Sequence, residues 1–72
     1  MAEGTVKWFN ETKRRGLITP DDGSKDLLVD YFGIDISLTD SEGYRVLKAD
    51  QRVSFEVFQG TLGMQAINVK LV

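Results

Sequence analysis

Two short stretches concentrate the side chains that can do chemistry. "VKWFN" sets Lys7, Trp8 and Phe9 in succession, and "KRRGLI", residues 13–18, sets Lys13, Arg14 and Arg15 shortly after it. Rings beside cations suit a single nucleic-acid strand. Any base can stack on an aromatic face for about 1–3 kcal/mol, while ammonium and guanidinium groups hold the phosphates. Tyr31 and Tyr44 supply two further rings. Each residue taken alone has a plainer reading, Trp8 as a core or edge residue and Lys13 as a solvated lysine.

Other chemistries find little support. The chain has no cysteine and no histidine, which excludes disulfides, thiolate nucleophiles, imidazole acid–base catalysis and the usual zinc sites. Asp21, Asp22, Asp26 and Asp30 lack the alternating ligands and distal glutamate of a calcium loop, and turn chemistry explains them. "GTLG" is followed by no phosphate-loop lysine or hydroxyl residue, so it reads as a turn. "NET" at Asn10 matches a glycosylation acceptor by pattern alone. The expectation is a protein that is no enzyme and takes no cofactor and no metal.

Charge is unevenly spread along the chain, whose net charge is −2. Lys7, Lys13, Arg14 and Arg15 outnumber Glu3 and Glu11 at the start, the middle carries carboxylates against Lys25 alone, and bases again outnumber acids near the end. Bulk charge therefore does not favour a polyanion, although a local basic patch can steer a phosphate chain. The opening "MAEGTVKW" has neither the basic start nor the apolar run of a secretory signal, and no stretch approaches a membrane span. A soluble, cytoplasmic protein with no membrane partner is expected.

These side chains must be positioned by strands. Seventy-two residues make one domain, residues 1–72, with a single small core. "TVKWFN" alternates so that Val6 takes one face and Lys7 and Phe9 the other. "RRGLIT" sets Gly16 and Ile18 against Arg15, Leu17 and Thr19. "PDDGSKD" carries an Asp-Gly pair, a strong hairpin signal, before a third strand "DLLVDY". A two-residue turn at Asp22-Gly23 pairs Ile18 with Leu27, Leu17 with Leu28, Gly16 with Val29 and Arg15 with Asp30; a longer loop would shift that register. "GIDISLTDSEGY" reads as a long link, with room for one helical turn at its Ser37/Asp40 or Thr39/Glu42 capping patterns. "RVSFEVF" sets Val53, Phe55 and Val57 inward, and "MQAINVKLV" does the same for Ile67, Val69 and Leu71. The result is an all-β chain of five short antiparallel strands, with a long loop between strands three and four, that closes into a small barrel.

"VKWFN", "ITPDDGSKD", "ADQRVSFEV" and "QGTLGMQAINV" together resemble the bacterial cold-shock protein family over essentially the whole length. The resemblance implies an OB-fold barrel that binds single-stranded RNA or DNA in the cytoplasm. On that likeness Lys7, Trp8, Phe9, Lys13, Tyr31 and Tyr44 belong to the nucleic-acid-binding set, and Arg14 and Arg15 join it on their own chemistry, since a guanidinium stacks on bases and reaches phosphates. The two motifs of the family read like K-G-F-G-F-I and V-F-V-H-F, whereas this chain has "KRRGLI" and "LLVDYF". Ring positions have become Arg15, Leu17 and Leu28, and a histidine position has become Asp30. Tyr31 stands for the final phenylalanine, with Phe32 as the alternative if the strand bulges. The link before Tyr44 is longer than usual, and the common G-P-K-G-P is replaced by "GTLGM".

Losing three rings and a histidine would remove roughly 3–9 kcal/mol if the losses added, which contacts within one site seldom do. Weak, largely sequence-nonspecific binding of single-stranded nucleic acid is the leading expectation. Arg15 has two readings, a ligand contact or a cross-strand ion pair with Asp30, and the opposed charges favour the pair. The other expectation is a barrel that uses an apolar face, Leu17, Leu28, Leu62 and Met64, to meet a protein partner or a second copy of itself. The link, with Ile34, Ile36 and Leu38, could also fold over that face.

Overall fold

The computed structural model describes residues 1–61 and 63–72. Five strands, β1 (Ala2–Asn10), β2 (Arg15–Pro20), β3 (Leu27–Asp30), β4 (Arg52–Gly60) and β5 (Gly63–Leu71), close into a barrel in the order β1-β2-β3-β5-β4. Closure pairs every strand on both sides and leaves no free edge. The architecture is the expected all-β OB-type barrel, with one correction. β3 and β5 run parallel, so the sheet is mixed and not wholly antiparallel. A parallel pair needs a long crossover, and residues 31–51 together with β4 supply it.

The β2–β3 register is the one expected: Arg15 faces Asp30, Gly16 faces Val29, Leu17 faces Leu28 and Ile18 faces Leu27. The connection, however, is no two-residue turn. The β2–β3 ladder ends at Ile18 and Leu27; Thr19 and Pro20 remain in β2 against β1, and residues 21–26 form a loop that begins with a turn from Pro20 to Gly23, with Gly23 at φ +82 and Ser24 N–H donating to Asp22 Oδ1 at 2.9 Å. The stretch between Ile18 and Leu27 is even in length and centred on Asp22-Gly23, which preserves the pairing.

Two bulges change which residues face inward. On β1, Lys7 is the extra residue between the pairs Val6–Ile18 and Trp8–Leu17. Trp8 therefore joins Leu17 on the outer surface, while Phe9 packs against the core instead of sharing a face with Lys7. On β5, Asn68 adopts φ +52, and Asn68 and Val69 together lie opposite Phe55. This bulge buries both Ala66 and Val69 and leaves Ile67 half-buried, against the inward expectation for Ile67; Leu71 shares the face of Val69 and pairs with buried Val53, yet it is 52% exposed at the end of the strand, against the inward expectation for it. Val57 keeps the parity of Phe55, but it is 48% exposed because it lines a surface groove with Met64 and Phe55 on the β4–β5 hairpin.

The core is Val6, Ile18, Leu27, Val29, Val53, Phe55, Ala66 and Val69 from the strands, and Ile34, Leu38 and Leu47 from the link. The link has no helix at Ser37–Asp40 or Thr39–Glu42. Its helical turn comes earlier, as a single 3-10 turn at Tyr31–Gly33 whose first N–H is capped by Asp30. Beyond it, Ile34 bridges to Val69 and Thr39 to Arg45. Ile34 and Leu38 thus serve the interior and Ile36 is 69% exposed, so none of the three covers the outer surface of β2 and β3. Among the described residues no helix is long and apolar enough to cross a membrane.

Candidate nucleic-acid interface

The alternation of β2 and β3 is unbroken over their shared ladder, which fixes the face of each motif residue. Buried Gly16, Ile18, Leu27 and Val29 lie between Arg15, Leu17, Leu28 and Asp30, so the latter four project together from one outer surface. The ladders extend this surface sideways into a row: Trp8 on β1, Leu17, Leu28, Gln65 on β5 and Phe58 on β4. Trp8 is 42% exposed, whereas Leu17 and Leu28 are half-buried. Two leucines and Gln65 thus fill the middle of the row, with rings at its two ends.

Gly16 lets this face form. A Cβ there would lie 2.3 Å from Trp8 O and 3.0 Å from Phe9 Cα, so only glycine allows β1 and β2 to approach with Phe9 turned inward.

The bulge that turns Trp8 outward frees Lys7, whose Nζ reaches Asp26 Oδ2 at 3.1 Å. That hydrogen bond, with one from Thr19, lowers the Asp26 pKa below the ordinary aspartate value of 3.8. Both partners are solvent-accessible, and such pairs contribute about 0–1 kcal/mol. Asp26 therefore holds Lys7 only weakly.

Beyond Arg15, the β1–β2 turn is built on Asn10. Its side-chain Oδ1 accepts the Lys13 N–H at 2.9 Å and its carbonyl accepts the Arg14 N–H at 2.7 Å. Arg14 itself takes φ +58, a left-handed conformation that costs a non-glycine residue roughly 1–2 kcal/mol. Its guanidinium carbon lies 5.3 Å from the Tyr31 ring centroid and 5.1 Å from that of Tyr44. On Tyr31 it is joined by Arg45, at 5.4 Å, which also lies 5.7 Å from the Phe32 ring. Rings and guanidinium groups thus interleave as Tyr44, Arg14, Tyr31, Arg45 and Phe32. Tyr31 Oη accepts the Arg45 N–H at 3.2 Å, and Asp40 Oδ1 accepts the N–H groups of Glu42 and Tyr44, which fixes the link around Tyr44. Phe9, Glu11, Arg14, Tyr31, Asp40, Tyr44 and Arg45 line a cleft of about 270 Å³ there.

The expected site residues therefore fall into two groups. Phe9, Arg14, Tyr31 and Tyr44 meet at the cleft, while Trp8 and Arg15 belong to the outer strand surface, with Lys7 at the Asp26 loop and Lys13 in the turn. Arg15 and Asp30 face each other as foreseen, but no ion pair joins them. Among described residues the pairs are Lys7–Asp26, Arg52–Asp21 and Arg52–Glu3. Asp30 instead accepts the Tyr31 N–H at 2.9 Å, which holds its carboxylate against the start of the following 3-10 turn. Tyr31 lies half-buried in the cleft and Phe32 stands 81% exposed beside it, so both claimants to the last ring position are present.

Arg45 was not foreseen as a site residue. It sits in the aperiodic link, where no pattern distinguishes it from a solvated arginine. The apolar face of the second expectation is divided: Met64 lies on the other side of β5 from Gln65, the neighbour of Leu28, and lines the groove with Val57 and Phe55. Strand alternation separates Met64 from the leucines, and Leu62 lies outside the described residues.

Comparison with known proteins agrees with this geometry. The sequence model of the "'Cold-shock' DNA-binding domain" matches residues 2–72. The chain is 47% identical over 72 residues to "Cold shock protein" of Arthrobacter globiformis, covering all of both chains. It is 46% identical over 67 residues to "Cold shock-like protein CspE" of Escherichia coli K12, covering 93% of this chain and 90% of that one. With "Cold shock-like protein CspA" of Stigmatella aurantiaca the identity is 43% over 72 residues, covering 100% and 98%. The chain belongs to the cold-shock domain family, whose proteins bind nucleic acid and are not enzymes.

Proposed function

We propose that this barrel binds single-stranded RNA or DNA weakly and with little overall sequence selectivity, through Lys7, Trp8, Lys13, Tyr31 and Tyr44, with Arg14 reaching phosphate. The observation that carries the reading is the row Trp8–Leu17–Leu28, in which one exposed ring stands beside two aliphatic side chains where a strand of bases would lie. A leucine packs against a base without the stacking gain of a ring, so affinity rests on backbone charge and on the peripheral rings. Binding carried by charge weakens steeply with salt, since each phosphate contact releases counterions.

Titration of the intrinsic fluorescence of Trp8 with a short oligothymidylate tests this directly, because the chain holds one tryptophan. Quenching at low salt that fades at moderate salt is expected. Absence of quenching at both salts refutes the proposal.

A further inference from the structure

The cleft between the β1–β2 turn and the link has a composition that phosphate binding does not explain. Glu11 and Asp40 stand against Arg14 and Arg45 within it, so its formal charge is zero. A phosphate would gain from the two guanidinium groups and lose to the two carboxylates. A neutral planar ligand with hydrogen-bond donors on one edge and acceptors on another matches such walls better. Phe9, Tyr31 and Tyr44 complete the lining with rings, and the size, about 270 Å³, suits a single nucleobase rather than a drug-sized ligand.

The polar groups are also available and held in place. Arg14 and Arg45 lie over rings and donate no side-chain hydrogen bond to any described residue, so their N–H groups remain open to a ligand. Asp40 uses Oδ1 to accept the Glu42 and Tyr44 N–H groups, and no described donor reaches its Oδ2. Asp40 N–H donates to Tyr44 O at 2.8 Å, and Gly43, at φ +88, closes the turn by donating to Asp40 O. The carboxylate and the Tyr44 ring are therefore fixed to each other before any ligand arrives, which lowers the entropy lost on binding.

We propose that this cleft is a guanine-selective subsite within an otherwise permissive single-strand surface. Guanine presents the paired acceptors O6 and N7, the usual target of arginine, and on its other edge the adjacent donors N1–H and N2–H₂, which match a carboxylate. Adenine and cytosine offer a single exocyclic amine, and thymine or uracil a single N–H, so each leaves a carboxylate or a guanidinium unanswered. Arg45 meets the acceptor edge, Glu11 or Asp40 meets the donor edge, and the rings hold the base plane. This inference rests on the single-strand reading above, and its test separates the two.

Fluorescence titrations at fixed low salt would compare hexathymidylate with hexamers carrying one guanine, hypoxanthine, adenine or cytosine at each position in turn. One guanine at a suitable position should tighten binding about tenfold, and hypoxanthine, which lacks the N2 amine, should lose most of that gain. The Glu11→Gln/Asp40→Asn double variant keeps the Asp40 side-chain oxygen that caps the turn. It should abolish the guanine gain while binding hexathymidylate no more weakly than the wild type. Equal affinity, within about twofold, of all hexamers overturns the guanine subsite and leaves the single-strand reading intact, as does an equal gain from adenine or cytosine. Failure of every hexamer to bind overturns the single-strand reading, and the subsite with it.

Discussion

Restoring a ring at Leu28 should convert this surface into a tighter one. Leu28 faces Leu17 across the β2–β3 ladder, Leu17 faces Trp8 across β1–β2, and all three project outward. In Leu28→Phe the new ring joins this outer row rather than the core, where Val29 and Leu27 point the other way. Stability should therefore change by no more than about 0.5 kcal/mol. A stacked base contributes about 1–3 kcal/mol, which is an increase of about 5-fold to 150-fold in affinity for an oligothymidylate. Leu28→Met, similar in volume and without a ring, should leave affinity unchanged. Trp8 quenching titrations over a range of salt supply a second reading. Stacking releases no counterions, so log K should rise by a constant amount while its slope against log salt stays the same. A Leu28→Phe variant with wild-type near-ultraviolet dichroism and an affinity equal to that of Leu28→Met would refute the assignment of this face to bases.

Three further outcomes follow from the same geometry. Lys13→Ala or Arg14→Ala should reduce the salt slope of single-strand binding by about 0.7 for each phosphate no longer neutralised, with little change in thermal stability; an unchanged slope in both removes them from the interface. Gly16→Ala forces a Cβ to within 2.3 Å of Trp8 O and should destabilise the barrel by about 1–3 kcal/mol, or several degrees in Tm, and wild-type melting would contradict the close approach of β1 and β2. Asp21 is held below the ordinary aspartate value of 3.8 by its hydrogen bonds from Arg52, Asp22 by Ser24, Asp26 by Lys7 and Asp35 by Ser37. A lowered folded pKa stabilises the fold above the unfolded value and loses that effect as pH falls through the folded one. Tm should therefore be level from about pH 8 to about pH 5 and fall below about pH 4, less so in Arg52→Gln; a Tm that rises on acidification would contradict the sign.

The face of each β2 and β3 residue was legible from the chain because strand alternation is a local property and neither strand bulges. The same logic failed on β1 and β5 for one physical reason. A single residue, Lys7 or Asn68, leaves the ladder and inverts the phase of everything after it, and no local pattern around either marks it in advance. The β2–β3 pairing came out correctly although the turn did not, since the stretch between the ladder ends is even in length about the same centre. Glu11, Asp40 and Arg45 carry no such local mark, because their meeting depends on the link folding back against the β1–β2 turn and so on residues distant in sequence.

Residue types and alternation alone were sufficient for a five-stranded barrel and the absence of cysteine and histidine chemistry, while resemblance of short motifs supplied the cold-shock kinship and the aliphatic substitutions at its ring positions. These are properties of short segments, and a short segment contains what is needed to derive them. Which strands run parallel, where Trp8 points, whether Arg15 finds Asp30 and which charges share the cleft with Tyr31 and Tyr44 belong to the closed barrel. Each depends on distances between segments that bulges, loop length and core packing set together, and no single stretch of the chain specifies those.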